Sequence, residues 1–482
     1  MSFLPVLLWS DVLIWLLLLG AMVFGVLSAR NPLLRAAWQR VGRSRAGMAS
    51  ATLLIAFVVV GLLDSLHYRQ RLENTVGQAA TSTERPSATY AVEVLSLLDA
   101  LLSPLRTRHE KTYSEPLATR LHAKESIDIR AADGQLRAGR DYPRLKYGGA
   151  HLGADEARRA ADIGERVLRA LGLALLAWSV LAVATAAGVA RRQTCSQGEA
   201  WRRIWRDDRG FAWNAVLAAL AGLLLLGLPL ALLAVDYHVF GTDKVGQDVL
   251  YQVLKSVRTA LVIGLVTTLV LLPLSIFLGV VAGYFRGWVD DLIQYLYTTL
   301  SSIPGVLLIA AAVLMMQVLI DTHPQWFATA AERADLRLLA LCFILGVTSW
   351  TGLCRLLRGE TLKLRELEYI QAAQAFGVSD LRIIARHILP NLMHIVIIAL
   401  VMDFSSLVLA EAVLSYVGIG VDPTMISFGT MINNARLELA REPMVWWSLA
   451  AAFVFMFALV LAANLLADAV RDAFDPRLAG SA

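Results

Sequence analysis

The chain is poor in cysteine. Of 482 residues only Cys195, Cys342 and Cys354 carry a thiol, and no pair has the spacing of a zinc site or a CxxC redox motif. Neither a disulfide framework nor a structural metal is expected. Two of the three lie in or beside apolar runs, where a thiol packs as a small hydrophobe. Charge is scarce too. Asp, Glu, Lys and Arg make up 17% of the residues, against about 25% in a soluble domain. Hydrophobic residues reach 57% and mean hydropathy is +0.59, so the solvent for most of the surface is a bilayer. A GxxxxGK[ST] phosphate cradle is missing: Gly241 to Gly246 contains a lysine at the wrong spacing. No nucleophile and base are placed near a predicted cleft, which argues against an enzyme. The net charge of +5 is mostly arginine in loops. It is not a basic face interleaved with aromatics on a soluble domain, so nucleic acid is not an expected partner.

What the sequence has is long apolar runs. A membrane span needs about 20 mostly apolar residues. Nine runs qualify, near 5–27, 48–66, 167–190, 211–235, 257–283, 292–320, 338–354, 391–415 and 444–467. The first lacks a basic leader and a small-residue cleavage site, so it reads as a retained span rather than a signal peptide. Short loops rich in Lys and Arg face the cytoplasm. The loop holding Arg30, Arg35, Arg40, Arg43 and Arg45 is therefore inside, as is the loop holding Arg191, Arg192, Arg202, Arg203, Arg206 and Arg209. That places the N-terminus and residues 67–165 outside. The long segment is itself basic, but segments longer than about 60 residues translocate largely regardless of charge. Trp201, Trp205, Trp213, Trp288, Trp326, Trp446 and Trp447 lie at or near the ends of runs, where indoles prefer the interface.

Within 67–165, Ala91, Val94, Leu95, Leu98, Leu101, Leu102 and Leu105 recur at helical spacing. This predicts one amphipathic helix, packed in a small domain or lying on the membrane. From 106 to about 150 the chain is charged with weak periodicity. His109 and His122 are isolated there and read as surface residues.

The most informative stretch is Glu368 to Asn391, EYIQAAQAFGVSDLRIIARHILPN, in a loop predicted to be cytoplasmic. Tyr369, Ala372, Ala373 and Phe376 form a helical stripe with small residues at its centre. Gly377 ends that helix, because glycine tolerates the positive φ a C-cap needs. Ser379 and Asp380 can cap a second helix, whose apolar face is Leu381, Ile384 and Ile388. Pro390 ends the segment and Asn391 opens the next span. The product is a short exposed helix–turn–helix suited to docking a cytoplasmic partner; the plainer alternative is an amphipathic connector.

This stretch resembles the EAA loop of ABC importer permeases of the dipeptide/oligopeptide/nickel branch. Glu368, Ala372, Ala373, Gly377 and Pro390 match the motif. Gln371 stands where the general pattern has glutamate, and His387 where it has isoleucine. Three further segments are similar to the family's: HVFGTDKVGQDVL from His238 to Leu250, LAEAVLSYVGIG from Leu409 to Gly420, and NLLADAVRDAFDPRL from Asn464 to Leu478. The resemblance covers about 211–480 and leaves the first 210 residues uncovered.

The resemblance implies an all-α membrane protein with a six-helix core, preceded by three extra spans and an extracytoplasmic insert. Residues 1–66 hold two N-terminal spans, 67–165 the extracytoplasmic segment, 166–210 the third span and a basic cytoplasmic linker, and 211–482 the permease domain. It further implies a permease of the bacterial inner membrane, working by alternating access and having no cofactor of its own. Its partners are ABC ATPase subunits, a second and different permease, an extracytoplasmic substrate-binding protein and membrane lipid. Glu368, Tyr369, Gln371, Ala372, Ala373, Gly377, Asp380 and Pro390 are the expected ATPase-coupling loop. A polar substrate needs a path inside protein, built from interrupted helices and small residues. Ser301, Ser302 and Pro304 sit in one run with Gly305, and Asp403 is a carboxylate within another, a functional candidate by position. These four are the expected path residues, although a structural kink or a local hydrogen bond to Ser405 would equally account for them. Glu411 is expected to make a structural contact near the outer end of its run. Substrate identity is not encoded here. The competing readings are a membrane sensor or scaffold with a permease-like core, and an ion-driven secondary transporter, which would carry repeated halves and several buried ionisable residues.

Overall fold

The computed structural model describes residues 3–71, 90–130, 136–153, 155–206, 210–327 and 329–474. Of the residues singled out above, Arg209 and the stretch 475–478 lie outside these. Among the described residues, eight helices are long and apolar enough to cross a membrane, and one bent helix pair makes a ninth span.

In chain order, strand β1 (Phe3–Val6) precedes helices α1 (Trp9–Arg30), α2 (Pro32–Arg43) and α3 (Arg45–Asp64). Strands β2 (His67–Gln70) and β3 (Leu95–Ser96) lead to the short helices α4 (Leu97–Leu101) and α5 (Ser103–Thr107). The hairpin β4 (Glu125–Arg130) and β5 (Leu136–Asp141) follows. Next come α6 (Arg159–Gln193), α7 (Gln197–Arg206), α8 (Trp213–Leu233) and α9 (Val249–Phe285). Then follow α10 (Gly287–Ser302), α11 (Gly305–Thr322), α12 (Ala330–Ser349), α13 (Thr351–Arg365), α14 (Glu368–Ala375) and α15 (Asp380–Ile383). The last three are α16 (Leu389–Val417), α17 (Phe428–Glu438) and α18 (Trp447–Phe474).

Backbone contacts group these into two compact units. The first comprises Met1–Val6, Gly42–Thr259 and Ile426–Ala462. Its small sheet has the order β1-β2-β3, all antiparallel, with Phe3 opposite Gln70 and Val6 opposite His67. Pro5, which has no N–H to donate, is accommodated because β1 is an edge strand. The apolar run expected to start at residue 5 therefore begins as a strand, and its helix starts at Trp9. Helix α6 packs along α8 through the small side chains Ala182, Ala186 and Ala190 around Leu217, the close-packing device of membrane helices. Trp178 adds a bond from its indole N–H to the Leu217 carbonyl at 2.9 Å. The amide of Ala212 donates to the carbonyl of Gly42 at 2.8 Å, joining the two arginine-rich loops.

The single helix expected over 91–105 is instead β3, α4 and α5. Residues 95–96 pair with β2, and Ser96 caps α4 in a reciprocal box with Asp99. Pro104 then opens α5, since it cannot continue the helix before it. Leu98 and Leu105 are buried, whereas Leu101 is exposed. His122 is not a surface residue. Its ring is edge-on to Trp447 at 4.9 Å, and its Nδ1 lies 3.1 Å from Glu115.

The second unit comprises Leu7–Val41, Ala260–Met425 and Ala463–Ala482. Here α2 lays Ala37 and Val41 against Val470, Ala473 and Phe474 of α18. The run 292–320 is not one span. It breaks at Ile303 and Pro304, and α11 alone is the membrane-length piece. Proline removes an N–H and drives the residue before it out of the helical region; Ile303 accordingly lies at φ −90, ψ 132. The run 338–354 becomes α12 and α13, bent by 40° where Trp350 separates them.

Candidate functional site

The loop after α13 is anchored by three isoleucines. Ile370 of α14, Ile383 of α15 and Ile388 are fully buried, in one cluster with Leu357, Leu392 and Val396. Above this anchor the loop turns a different set of side chains outward. Tyr369, Phe376 and Leu381 are 46%, 88% and 79% exposed, with Glu368, Gln371, Ala372 and Asp380 exposed among them and Ala373 half-buried. An exposed patch of this kind on a short, internally braced segment is a candidate interaction surface.

Several sequence expectations hold locally. Gly377 has φ +73, and the amides of Gly377 and Val378 return to the carbonyls of Gln374 and Ala373 at 3.0 and 3.1 Å, closing α14 as a glycine C-cap does. Others need correction. The inward face of the second helix is Ile383 and Ile388, not Leu381. A π turn over Ile384–Ile388 inserts an extra residue per turn, which shifts the buried face by one position. Ser379 occupies the N-cap position, but its side chain makes no capping bond. Asp380 accepts the Tyr284 hydroxyl at 2.7 Å instead. Pro390 does not end the segment: it is the second residue of α16, which continues from the π turn without a break. Asn391 lies inside that helix and donates to the Tyr369 hydroxyl at 3.2 Å and the His387 carbonyl at 2.7 Å. The His387 ring packs 5.9 Å from Tyr369, so this departure from the family pattern braces the loop. Gln371 bonds the Glu366 carbonyl at 3.2 Å.

Helix α13 delivers the loop, and α9 supports it through a GxxxG pair. A Cβ on Gly279 would lie 2.8 Å from the Cys354 carbonyl oxygen, and one on Gly283 would lie 2.6 Å from Thr361 Cβ and 2.7 Å from the Arg358 carbonyl oxygen. Small residues at this spacing let membrane helices touch at the backbone. Gly283→Val should therefore cost about 1–3 kcal/mol by overpacking. Gly359→Ala, on α13 where a Cβ meets nothing within 4 Å, should be neutral or stabilise by up to about 1 kcal/mol. Thermal unfolding of the purified variants compares the two. Equal melting temperatures would show that the crossing is not tight.

The expected path residues lie apart in their bonding. Ser301, Ser302 and Pro304 are exposed at the α10–α11 break, and Ser302 donates to the Thr299 carbonyl at 2.7 Å. Asp403 is half-buried on α16. Ser405 does not bond its carboxylate, donating instead to the Met402 carbonyl and to Asn464 Oδ1 at 3.2 and 2.5 Å. Among the described residues no hydrogen bond joins Asp403 to Ser301 or Ser302. Glu411 is buried and accepts from Ser415 at 2.6 Å.

Two buried charge clusters in the first unit escaped sequence reasoning. His238 places Nδ1 2.7 Å from Asp248 and Nε2 3.4 Å from Glu110. Glu110 also accepts the amides of Lys146, Tyr147 and Gly148 at 2.8–3.0 Å. Asp248 accepts the amides of Leu250 and Tyr251, capping α9. In the second cluster Lys255 joins Asp64 and Asp99.

A mainly helical protein with eight or nine membrane-length spans among its described residues is a multi-pass membrane protein. Residues 275–480 match the family described as binding-protein-dependent transport system inner membrane component. The chain is 34% identical over 243 residues to the glutathione transport system permease protein GsiD of Pectobacterium atrosepticum, covering 50% of this chain and 73% of that one. It is 31% identical over 282 residues to the oligopeptide transport system permease protein OppC of Mycobacterium tuberculosis, covering 55% and 90%. To the dipeptide transport system permease protein DppC of Bacillus subtilis it is 27% identical over 293 residues, covering 58% and 85%. The chain belongs to this family: it is an inner-membrane permease component of an ABC importer.

Proposed function

We propose that this permease forms, with a second and different permease chain, the path by which peptides or similar small substrates enter the cell. An extracytoplasmic binding protein delivers them and separate ATPase subunits drive the cycle. The peptide class rests on the relatives, which are named for glutathione, oligopeptide and dipeptide transport. On this reading the chain itself needs no cofactor and no catalytic residue. The observation that carries the reading is the exposed Tyr369, Phe376 and Leu381 over the buried Ile370, Ile383 and Ile388. Aromatic residues on a rigid base are what a docking partner grips.

On this reading Glu368, Tyr369, Gln371, Ala372, Ala373, Gly377, Asp380 and Pro390 belong to the ATPase-coupling segment. Ser301, Ser302, Pro304 and Asp403 line the path. Residues 67–165 face outward; the pairing of β1, before the first span, with β2, after the second, supports a common side for those two positions. The test is co-purification of the tagged chain from native membranes beside a variant with Ala372→Arg and Phe376→Arg. Both positions are exposed, so the fold is spared. An ATPase should accompany the native chain and fall by about tenfold or more in the variant, the effect of losing one strong contact. If no ATPase appears, or the variant keeps it, the coupling reading is wrong and a sensor or scaffold role takes its place.

A further inference from the structure

We infer that Tyr284 is the positioning residue through which the coupling loop moves the α9–α10 turn, and with it the broken helix of the proposed path. The inference rests on the coupling reading above. Tyr284 is the penultimate residue of α9 and is only 3% exposed. Its hydroxyl donates to Asp380 Oδ1 at 2.7 Å and accepts from Gln374 Nε2 at 3.2 Å. The Arg365 guanidinium lies over its ring at 5.6 Å. One phenol thus touches the end of α13, the first loop helix and the start of the second, on both sides of the Gly377 turn.

The chain beyond Tyr284 is built to carry the motion on. Arg286 and Gly287 both have φ +59, and Arg286, extended at ψ −167, holds a backbone conformation that a non-glycine residue adopts only when its surroundings fix it. Arg286 pairs with Glu366 at the mouth of the loop. Just past the turn, Asp290 accepts from two of the three guanidinium nitrogens of Arg358, Nε and Nη2, at 2.5 and 2.7 Å, the bidentate geometry that fixes orientation as well as distance. Helix α10 then runs 16 residues, about 24 Å at 1.5 Å per residue, to Ser301, Ser302 and the break at Pro304. A push on the loop meets a polar clamp at Tyr284, Arg286 and Asp290, and a rigid rod connects that clamp to the break. The Tyr284 hydroxyl is the member of the clamp that reads the loop's far side, since it alone bonds Asp380.

The full importer complex is the material for the test. Ser302→Cys reports on the break through its labelling rate with a membrane-impermeant maleimide, with and without ATP plus vanadate. With Tyr284 intact the nucleotide should change the rate by about fivefold or more, the lower end of typical coupling between sites. In Tyr284→Phe, which keeps the ring and its packing, the nucleotide effect should vanish while the ATPase stays bound and hydrolyses ATP. A Tyr284→Phe complex that keeps the nucleotide effect overturns the inference and leaves the coupling reading standing. So does one that merely loses the ATPase or falls in abundance, because that is a structural role. A bound ATPase with no nucleotide effect even when Tyr284 is intact also overturns it. If no ATPase binds the native chain, the coupling reading itself has failed.

Discussion

His238→Ala should loosen residues 110–149 from the loop before α9 by about 3–5 kcal/mol, the usual cost of removing one partner from a buried ionic group. The substitution leaves Glu110 and Asp248 buried without their shared cation, their side chains being 2% and 0% exposed. The amides that report on this contact are Leu117, bonded to the His238 carbonyl at 2.9 Å, Gly149, bonded to that of Asp236 at 2.8 Å, and Thr242, bonded to that of Ser114 at 3.1 Å. Their hydrogen exchange should quicken by about a hundredfold or more, each 1.36 kcal/mol being a factor of ten. Unchanged protection there would mean that the cluster contributes nothing. The native protein should also show a signature in pH. Burial opposes charge on His238, but its bonds to Asp248 and Glu110 outweigh that and push it from 6.5 up to about 9. Burial likewise opposes charge on Glu110, and His238 with three backbone amides brings it down from 4.5 to about 2. The histidine contribution, about 3 kcal/mol held jointly by the group, is complete below pH 6.5 and is lost as pH rises through about 9. The glutamate contribution is complete above pH 4.5 and is lost as pH falls through about 2. Protection factors, which divide out intrinsic exchange, should be greatest between those limits. The His238→Ala protein should lack the alkaline decline.

Why this cluster was invisible in the sequence is a matter of distance along the chain. Asp248 before an apolar run is a legible N-cap, and His238 stands in the same family-like segment. Glu110, however, is 128 residues from His238, in a stretch with weak periodicity. The spans were legible because a bilayer imposes one crude rule, apolar length, on each of them. Their breaks were less so. Pro304 announces a kink but not that α10 falls short of a span, and nothing around Trp350 signals the 40° bend. In the loop after α13 the small residues and Gly377 could be read directly from type and spacing. The inward face could not, because the π turn at Ile384–Ile388 departs from the 3.6-residue period on which that reading depended. Tyr284 was passed over because its partners Gln374 and Asp380 lie 90 and 96 residues away, and a lone tyrosine at the end of a span reads as an interface aromatic.

Lys255→Met should reverse the pH response of the contact between α3 and the start of residues 95–107. In the native protein the Lys255 ammonium donates to Asp64 Oδ1 at 2.7 Å and Asp99 Oδ2 at 3.1 Å. Ser96 donates to Asp64 at 2.6 Å and Tyr251 to Asp99 at 2.8 Å. Burial raises the Asp99 carboxyl, and Lys255, the Ser96 amide and Tyr251 together outweigh it, holding it below 3.8. Its stabilisation is therefore present above that value and is lost as pH falls below it. Methionine keeps the length of the side chain and removes the cation. Two buried carboxylates, 3% and 5% exposed, then face each other, at a cost of about 3–5 kcal/mol at neutral pH. Like charge and burial both raise the Asp99 carboxyl in this variant, so acidification neutralises it and restores the contact instead of weakening it. Exchange of the Leu97 amide, bonded to the Leu66 carbonyl at 2.9 Å, should be at least about a hundredfold faster than native at pH 7, and should approach the native rate as pH is lowered. Adding Asp99→Asn to Lys255→Met removes the repulsion and should recover most of the protection at pH 7. A single variant that loosens further on acidification, or a double variant no better than the single, would show that Asp64 and Asp99 do not share Lys255 as their counter-ion. If both signs come out as argued, two buried ionic clusters, at His238 and at Lys255, brace the interior of the first unit.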